Sequence, residues 1–452
     1  MAAAGVISLR PASDPDVWWH LRTGEFILRE GRLPGVDSWS LVAQGRTWVA
    51  HEWLGEVVIA LFHRGFGLFG VSLFRSLCVV VLVGALAVQV FRRTTPYRAL
   101  LCLVLAFFAT EDGWGERPQL LSFLLLIPVA HLVQLAVAGR INPFWLVPVT
   151  WFWANVHAYW ILTIALLGVG VLGVLLRDGW SGGRDRAARL VTVSIACVAA
   201  AGLTPNGLAL FQPFVSHAGG DPSFISEFGA PTIRLSSGLA FFAMIGVLLW
   251  LHARAKSQPD MYVVLQVVFA FAFGLLYIRT VAPAAILLAP LLADAFRRTY
   301  EETQPREWSL TSNATVGTAA AAAIAGLLVF VLHQPSTAND ELVRATAALT
   351  SGSSTPQRVL NEYGVGGWLL GRAPSTLPAI DGRAEIFPPG YVTDYIDALA
   401  MKGDWKATIL PLRADSALLN PDTPLVNGLR EELEWQTVFE GEGWVVLVAP
   451  DA

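Results

Sequence analysis

Charge is absent from long stretches of this sequence and returns in short clusters of particular content. Only 15% of the 452 residues are charged and 54% are hydrophobic, whereas about a quarter of an ordinary soluble domain is charged. Apolar segments occupy 68–90, 99–109, 120–138, 144–154, 159–176, 190–203, 238–251, 261–276, 281–295 and 316–332. A bilayer span needs about 20 apolar residues, and fewer where the membrane thins locally. The pattern predicts an α-helical polytopic membrane protein of about ten spans. The short segments 99–109 and 144–154 each run into a polar cluster, so their helices are expected to continue into a protein-lined cavity.

Orientation follows from the basic residues, which favour the cytoplasmic side. They lie in five loops: Arg92, Arg93 and Arg98; Arg140; Arg177, Arg184, Arg186 and Arg189; Arg254 and Lys256; and Arg297 and Arg298. These loops fall on alternate connections. The polar clusters and the tail then fall on the opposite, extracytoplasmic side. Three regions result: an extracytoplasmic loop at 1–67 with interfacial helices and an acidic motif, a transmembrane domain at 68–333, and an extracytoplasmic α/β domain at 334–452. In the first, 18–29 and 53–62 read as amphipathic helices in the interface plane, with turn signals at Asp37-Ser38-Trp39-Ser40. In the tail, 341–349, 392–401 and 424–434 read as helices, and 358–363 and 377–381 as strands. A closing hairpin pairs 436–439 with 444–449.

Several function classes drop out. The net charge of −4 gives no sign of a nucleic-acid partner. Cys78, Cys102 and Cys197 all sit in apolar runs and read as small core residues. Gly364-Val365-Gly366-Gly367 resembles a dinucleotide loop, but no capped helix is expected after it. A transporter would show internal repeats, and none is evident.

The clusters carry the chemistry. In Asp14-Pro15-Asp16, Pro15 keeps Asp14 extended. Two carboxylates so close can share a cation, or one can act as a base while the other tunes it. Asp16 could equally cap the helix that begins at Val17. His51-Glu52 precedes a helix. Glu52 is either a further acid or a favourable charge at the helix dipole. Trp19, His20 and His51 are polar and aromatic candidates for substrate contact beside these acids. Arg117 lies between two spans beside Pro118, and either pairs with Glu116 or holds a phosphate. Trp153, Asn155, His157 and Tyr159 alternate within an apolar stretch and suit a sugar face. Arg279 is the best phosphate candidate, or else a snorkelling residue. Its neighbour Pro283 suggests a broken helix beside a cavity.

These residues add up to a pattern. Asp14-Pro15-Asp16-Val17-Trp18-Trp19-His20-Leu21-Arg22-Thr23-Gly24-Glu25, Asp37-Ser38-Trp39-Ser40 and His51-Glu52-Trp53-Leu54 resemble a widespread family of bacterial polytopic membrane proteins. That family is similar to the C-type glycosyltransferase (GT-C) superfamily. The resemblance continues through Arg117-Pro118-Gln119, Trp153-Ala154-Asn155-Val156-His157, Thr204-Pro205-Asn206-Gly207, Ile225-Ser226-Glu227-Phe228 and Arg279. It reaches into the tail at Tyr363-Gly364-Val365-Gly366-Gly367-Trp368 and Ile380-Asp381-Gly382-Arg383.

The resemblance implies a GT-C-like fold in the bacterial inner membrane and transfer of a sugar from a polyprenyl-phosphate donor to an envelope acceptor. Asp14, Asp16 and Glu52 would be the catalytic acids, with Asp14 and Asp16 as ligands if a divalent cation (Mg or Mn) takes part. Trp19, His20, His51, Arg117, Trp153, Asn155, His157, Tyr159 and Arg279 would bind substrate. Two features depart from the family. Only 13 residues precede the acidic motif, where the family has a membrane helix, so the first family helix is expected to be missing. Phe228 stands where the family pattern calls for Trp. The competing expectation is a non-catalytic membrane module that binds or moves a lipid-linked glycan.

Overall fold

The computed structural model describes residues 14–212, 226–255, 259–300, 340–351 and 356–450. The last apolar segment, 316–332, and residues 1–13 ahead of the acidic motif lie outside them. Helices run in the order α1 (Val17–Glu30), α2 (Trp53–Phe91), α3 (Pro96–Thr110), α4 (Gln119–Val137), α5 (Leu146–Ala154), α6 (Ile161–Ala201), α7 (Ser236–Arg254), α8 (Met261–Gly274) and α9 (Ile278–Tyr300). After these come α10 (Asp340–Thr350), α11 (Tyr363–Arg372) and α12 (Tyr391–Leu399), along with strands β1 (Gln357–Asn361), β2 (Thr376–Pro378), β3 (Ser416–Leu419), β4 (Gln436–Glu440) and β5 (Val445–Val448). The chain divides into two compact units. Of the described residues, one unit holds 68–210, 226–255 and 259–300; the other holds 14–67, 211–212, 340–351 and 356–450.

Five of the described helices are long and apolar enough to cross a membrane: Trp53–Phe91, Gln119–Val137, Ala158–Ala201, Ser236–Arg254 and Ile278–Tyr300. Two of them are interrupted. Gly67 (φ 61°) breaks α2 and Gly179 (φ 68°) breaks α6, conformations that cost glycine little. The apolar segments 159–176 and 190–203 are therefore the two arms of one interrupted helix. The short segments become α3 and α5, of 15 and 9 residues.

Helix α9 is the centre of the first, helical unit. It is buried along most of its length and packs against α3, α4, α7 and α8. It also runs unbroken through Pro283 and Pro290, so the broken helix expected at Pro283 does not occur. Proline has no N–H, which leaves the carbonyl four residues earlier without its helical donor. That carbonyl belongs to Arg279, and the Tyr159 hydroxyl donates to it at 2.9 Å. A side chain thus supplies the missing hydrogen bond.

Contacts at the two ends of α9 sort the loops. Near its end, Asp294 pairs with Arg93 at 3.4 Å and Tyr300 lies under the Arg98 guanidinium at 3.8 Å. Thr299 donates to Leu251 O at 3.2 Å. Near its start, Ile278 donates to Gly229 O at 2.9 Å. Glu111 and Asp112 accept hydrogen bonds from Ser236 and Ser237 at the start of α7. Arg93, Arg98 and the end of α7 thus gather at one end of α9, and Glu111, Asp112 and the start of α7 at the other. Buried Arg75 and Glu116 form an ion pair.

The second unit is built on a mixed five-stranded sheet of order β2-β1-β3-β5-β4. β1 pairs in parallel with β2 and β3, and β5 lies antiparallel to β3 and β4. Side chains alternate across a strand, and both faces here are covered. Leu360, Ala417, Leu419, Val445 and Leu447 join one core with Trp19, Trp39 and Trp48. Val359, Leu418 and Val446 join the other with α10 and Trp368. The expected hairpin is β4–β5. Strand β3 has no counterpart in the sequence reading: its four residues are buried on both faces, so the run Ser416 to Leu419 carries no period-2 alternation. Gly364 to Gly367 lie inside α11 and not in a loop.

The segment from Asp14 to Gly67 shares its cores with the tail. Gly367 faces the Pro15 carbonyl so closely that a Cβ there would overlap it. Leu41 N–H donates to Pro378 O at 2.8 Å, and Arg46 Nε to Ile386 O at 2.9 Å. At the centre lies Arg383, which is 0% exposed. Its Nη1 donates to Asp37 Oδ1 at 2.8 Å, and Nη2 and Nε donate to the Asp381 carboxylate at 2.8 and 2.9 Å. Its charge is favoured even though burial opposes it, because the two carboxylates outweigh desolvation.

Candidate active site

Each unit holds one group of the residues singled out in the sequence. In the sheet-containing unit, the Asp14 carboxylate accepts the Asp16 N–H at 3.0 Å, closing a tight turn at the head of α1. Asp16 stands at the N-cap position but makes no side-chain cap bond, so the capping role does not apply. Its carboxylate instead lies against Gly382, where a Cβ would overlap it. Trp19 is buried in the core, and its ring centroid is 3.6 Å from that of His20.

His20 is 2% exposed. Its Nδ1 lies 3.2 Å from Glu56 Oε1, and its Nε2 lies 4.0 Å from Glu52 Oε2. Glu52 also lies 3.3 Å from His51 Nε2. Burial opposes the charge on His51, but Glu52 and the more distant Glu385 outweigh it and raise its pKa to about 9. Glu56 was not foreseen. Its signal was available, because i and i+4 on a helix share a face and Glu52 is the i partner.

Among the described residues, no group of three or more His, Cys, Asp or Glu side chains is arranged to hold a metal ion. Asp14 and Asp16 supply two carboxylates, the kind of set that Mg uses together with waters and a substrate phosphate and not as an all-protein cage.

In the helical unit, four expected residues meet. Arg117 Nη1 pairs with Glu227 Oε1 at 2.8 Å. Arg279 covers the Phe228 ring at 4.9 Å and lies within the field of Glu227 and Arg117. Tyr159 bonds the Arg279 carbonyl. The ring of His157 is 4.6 Å from that of Tyr159, and its Nδ1 accepts the Tyr159 N–H at 3.2 Å. Two cations, one carboxylate and an aromatic floor form an anion-binding arrangement. Glu227 and Phe228 were noticed only as part of a motif. The snorkelling reading of Arg279 does not hold, because its guanidinium is engaged with Phe228 within the protein.

Two expected residues of this group are packed away instead. Trp153 is 0% exposed and its Nε1 donates to Ser122 Oγ at 2.7 Å. Asn155 is buried, with Nδ2 donating to Trp151 O at 2.7 Å. Both hold the end of α5, and Trp153 presents no ring face for a sugar.

No protein-family model matches the chain, and no curated protein matches its sequence. Solved structures do resemble it. An oligosaccharyltransferase from Archaeoglobus fulgidus, tethered to an acceptor peptide, superposes with a TM-score of 0.61 at 11% identity, over 92% of this chain and 68% of that one. The same enzyme, AglB, in complex with an inhibitory peptide and a dolichol-phosphate gives 0.59 at 11% identity, over 92% and 68%. ArnT from Cupriavidus metallidurans bound to undecaprenyl phosphate gives 0.54 at 16% identity, over 98% of this chain and 96% of that one. These neighbours are GT-C glycosyltransferases. The chain is a membrane protein with a GT-C-like fold.

Proposed function

We propose that this chain is a membrane glycosyltransferase that moves a sugar from a polyprenyl-phosphate donor to an extracytoplasmic acceptor. The observation that carries the reading is the pair of guanidiniums, Arg117 and Arg279, gathered around Glu227 at the acidic end of a GT-C-like helical unit. The neighbours' lipid-phosphate ligands support it. About ten spans, an inner-membrane location and an extracytoplasmic tail belong to the same proposal.

Asp14 or Asp16 takes the proton from an acceptor hydroxyl, with Glu52 as the further acid of that group. The hydroxyl oxygen attacks the anomeric carbon while the bond from that carbon to the lipid-phosphate oxygen breaks, which inverts the configuration. The departing phosphate gains negative charge, and Arg279 and Arg117 stabilise it. Glu227 keeps Arg117 oriented before the donor arrives. His157 and Tyr159 shape the sugar site of the helical unit, and Trp19, His20 and His51 are assigned to acceptor contact beside Glu52. No step is routed through a metal.

The test is transfer of label from a polyprenyl-phosphate sugar to an envelope acceptor in membranes carrying the protein. Asp14→Asn, Asp16→Asn and Arg279→Ala are made in parallel. Transfer lost in Arg279→Ala and in at least one aspartate variant, with expression intact, supports the reading. Donor binding without turnover in the unmodified protein would instead identify a non-catalytic glycan-binding module.

A further inference from the structure

The sheet-containing unit has a cleft of about 300 Å³ between α1 and the end of α11. None of the expected site residues lines it. Trp18 and Trp39 supply aromatic surface, and Arg22, Arg29 and Arg372 supply three guanidiniums. Its one carboxylate, Glu25, is engaged by Arg64 at 2.8 Å, and Arg29 is engaged by Glu30 at 2.9 Å.

Arg22 is the informative residue. It is half-buried, stacked at 4.6 Å on Trp39, and donates from Nη1 to Leu370 O at 2.9 Å. Among the described residues no carboxylate forms an ion pair with it. Burial, and then the charge of Arg383, push its pKa down to about 10 against the opposing fields of Asp37 and Asp381, which are themselves paired with Arg383. A half-buried cation is expensive without a close counter-charge, and Arg22 lines a cleft in which an anionic ligand would supply one. Arg372 is exposed and lies 5.7 Å over Trp18, so a second cation flanks an aromatic face on the same cleft.

We propose that this cleft binds an acidic sugar unit of a glycan, with its carboxylate or phosphate on Arg22 and Arg372 and an apolar ring face against Trp18. Guanidinium forks match both anions. An aromatic wall suits the C–H face of a pyranose, and the volume sits at the small end of ligand pockets, which hold about 300–1,000 Å³. The site stands apart from the residues assigned to transfer and does not depend on that assignment.

The experiment measures binding to the full chain in nanodiscs. The ligands are a galacturonate oligosaccharide, a sugar phosphate and a neutral galactose oligosaccharide of equal length. At least one acidic ligand should bind about tenfold more tightly than the neutral one, since one charge-assisted contact contributes about 1.4 kcal/mol or more. Whichever acidic ligand binds identifies the anion as carboxylate or phosphate. Arg372→Glu, on an exposed residue that does not threaten the fold, should abolish the preference, as should Arg22→Met, whereas Asp14→Asn should leave it unchanged. Equal binding of acidic and neutral ligands, or full acidic binding by Arg372→Glu, overturns the proposal. So does displacement of the acidic sugar only by anionic phosphatidylglycerol vesicles in a manner independent of Arg22.

Discussion

Arg383→Met should loosen the attachment of the acidic segment to the tail. The wild-type guanidinium makes three N–H···O contacts of 2.8–2.9 Å to two carboxylates, and all three side chains are 0% exposed. It also lies 4.5 Å from the Trp48 ring centroid and 5.3 Å from that of Trp39. Methionine fills much of the stem volume but leaves Asp37 and Asp381 buried together without a cation. Breaking one buried pair costs about 3–5 kcal/mol, and the whole margin of a domain is about 5–15 kcal/mol. For a unit of this size the loss corresponds to a fall in Tm of about 6–20 °C.

The assay is thermal unfolding followed by tryptophan emission, because Trp39 and Trp48 both face the substituted position. Limited proteolysis should show earlier cutting within 31–50. The triple variant Asp37→Asn, Arg383→Met, Asp381→Asn removes all three charges and should regain most of the loss, because the penalty lies in the uncompensated carboxylates and not in the missing attraction. A single variant within about 1 kcal/mol of wild type would refute the reasoning, since surface pairs behave that way. A triple variant no better than the single would show that Arg383 acts through packing on the tryptophans alone.

Three further outcomes follow from the same geometry. His51 has a folded pKa raised to about 9, so its contribution is fully present below about pH 6.5 and is lost as pH rises towards 9. That contribution is at most about 3 kcal/mol, and His51→Gln should flatten the decline of Tm over that window. Tyr159→Phe leaves the Arg279 carbonyl without a donor, because Pro283 cannot supply one. It should cost about 1–3 kcal/mol and lower the transfer rate through misplaced Arg279; unchanged stability would mean that water takes over the bond. Reporter fusions at Arg186 and at residue 334 should report opposite sides of the membrane, and the same side for both would defeat the proposed topology.

Some of this architecture was legible in the sequence because it depends on local composition. Long apolar runs can satisfy their backbone only as helices in lipid, and alternating clusters and basic loops give their order. The helix at Val17, the turn at Asp37 and the hairpin at 436–448 likewise carry local signals. Other features depend on partners far along the chain. Asp16 looked like a cap because its spacing is right, yet its carboxylate faces Gly382, more than 300 residues away in sequence. Arg383 read as a motif member, and nothing local says that it closes on Asp37. Pro283 looked like a helix break, and only the third dimension brings Tyr159 to the orphaned carbonyl.

The same distinction separates the site residues. Trp153 and Asn155 were chosen by residue type beside His157, but residue type does not decide which side of a helix end faces the core. Trp153 fell inward, onto Ser122. His157 and Tyr159 sit three and five residues past Ala154, the end of α5, where the chain has turned; Tyr159 reaches the Arg279 carbonyl and His157 packs on Tyr159. Glu227 is the residue that links the cations there. Glu227 is ion-paired with Arg117 and its charge also acts on Arg279, so it offsets the repulsion that the two guanidiniums exert on each other. A donor phosphate entering the site can take over that compensation, so the carboxylate that stabilises the paired cations also competes with it. Glu227→Gln should therefore lower stability and tighten donor binding together. A substitution that weakened both would mean that Glu227 only orients Arg117.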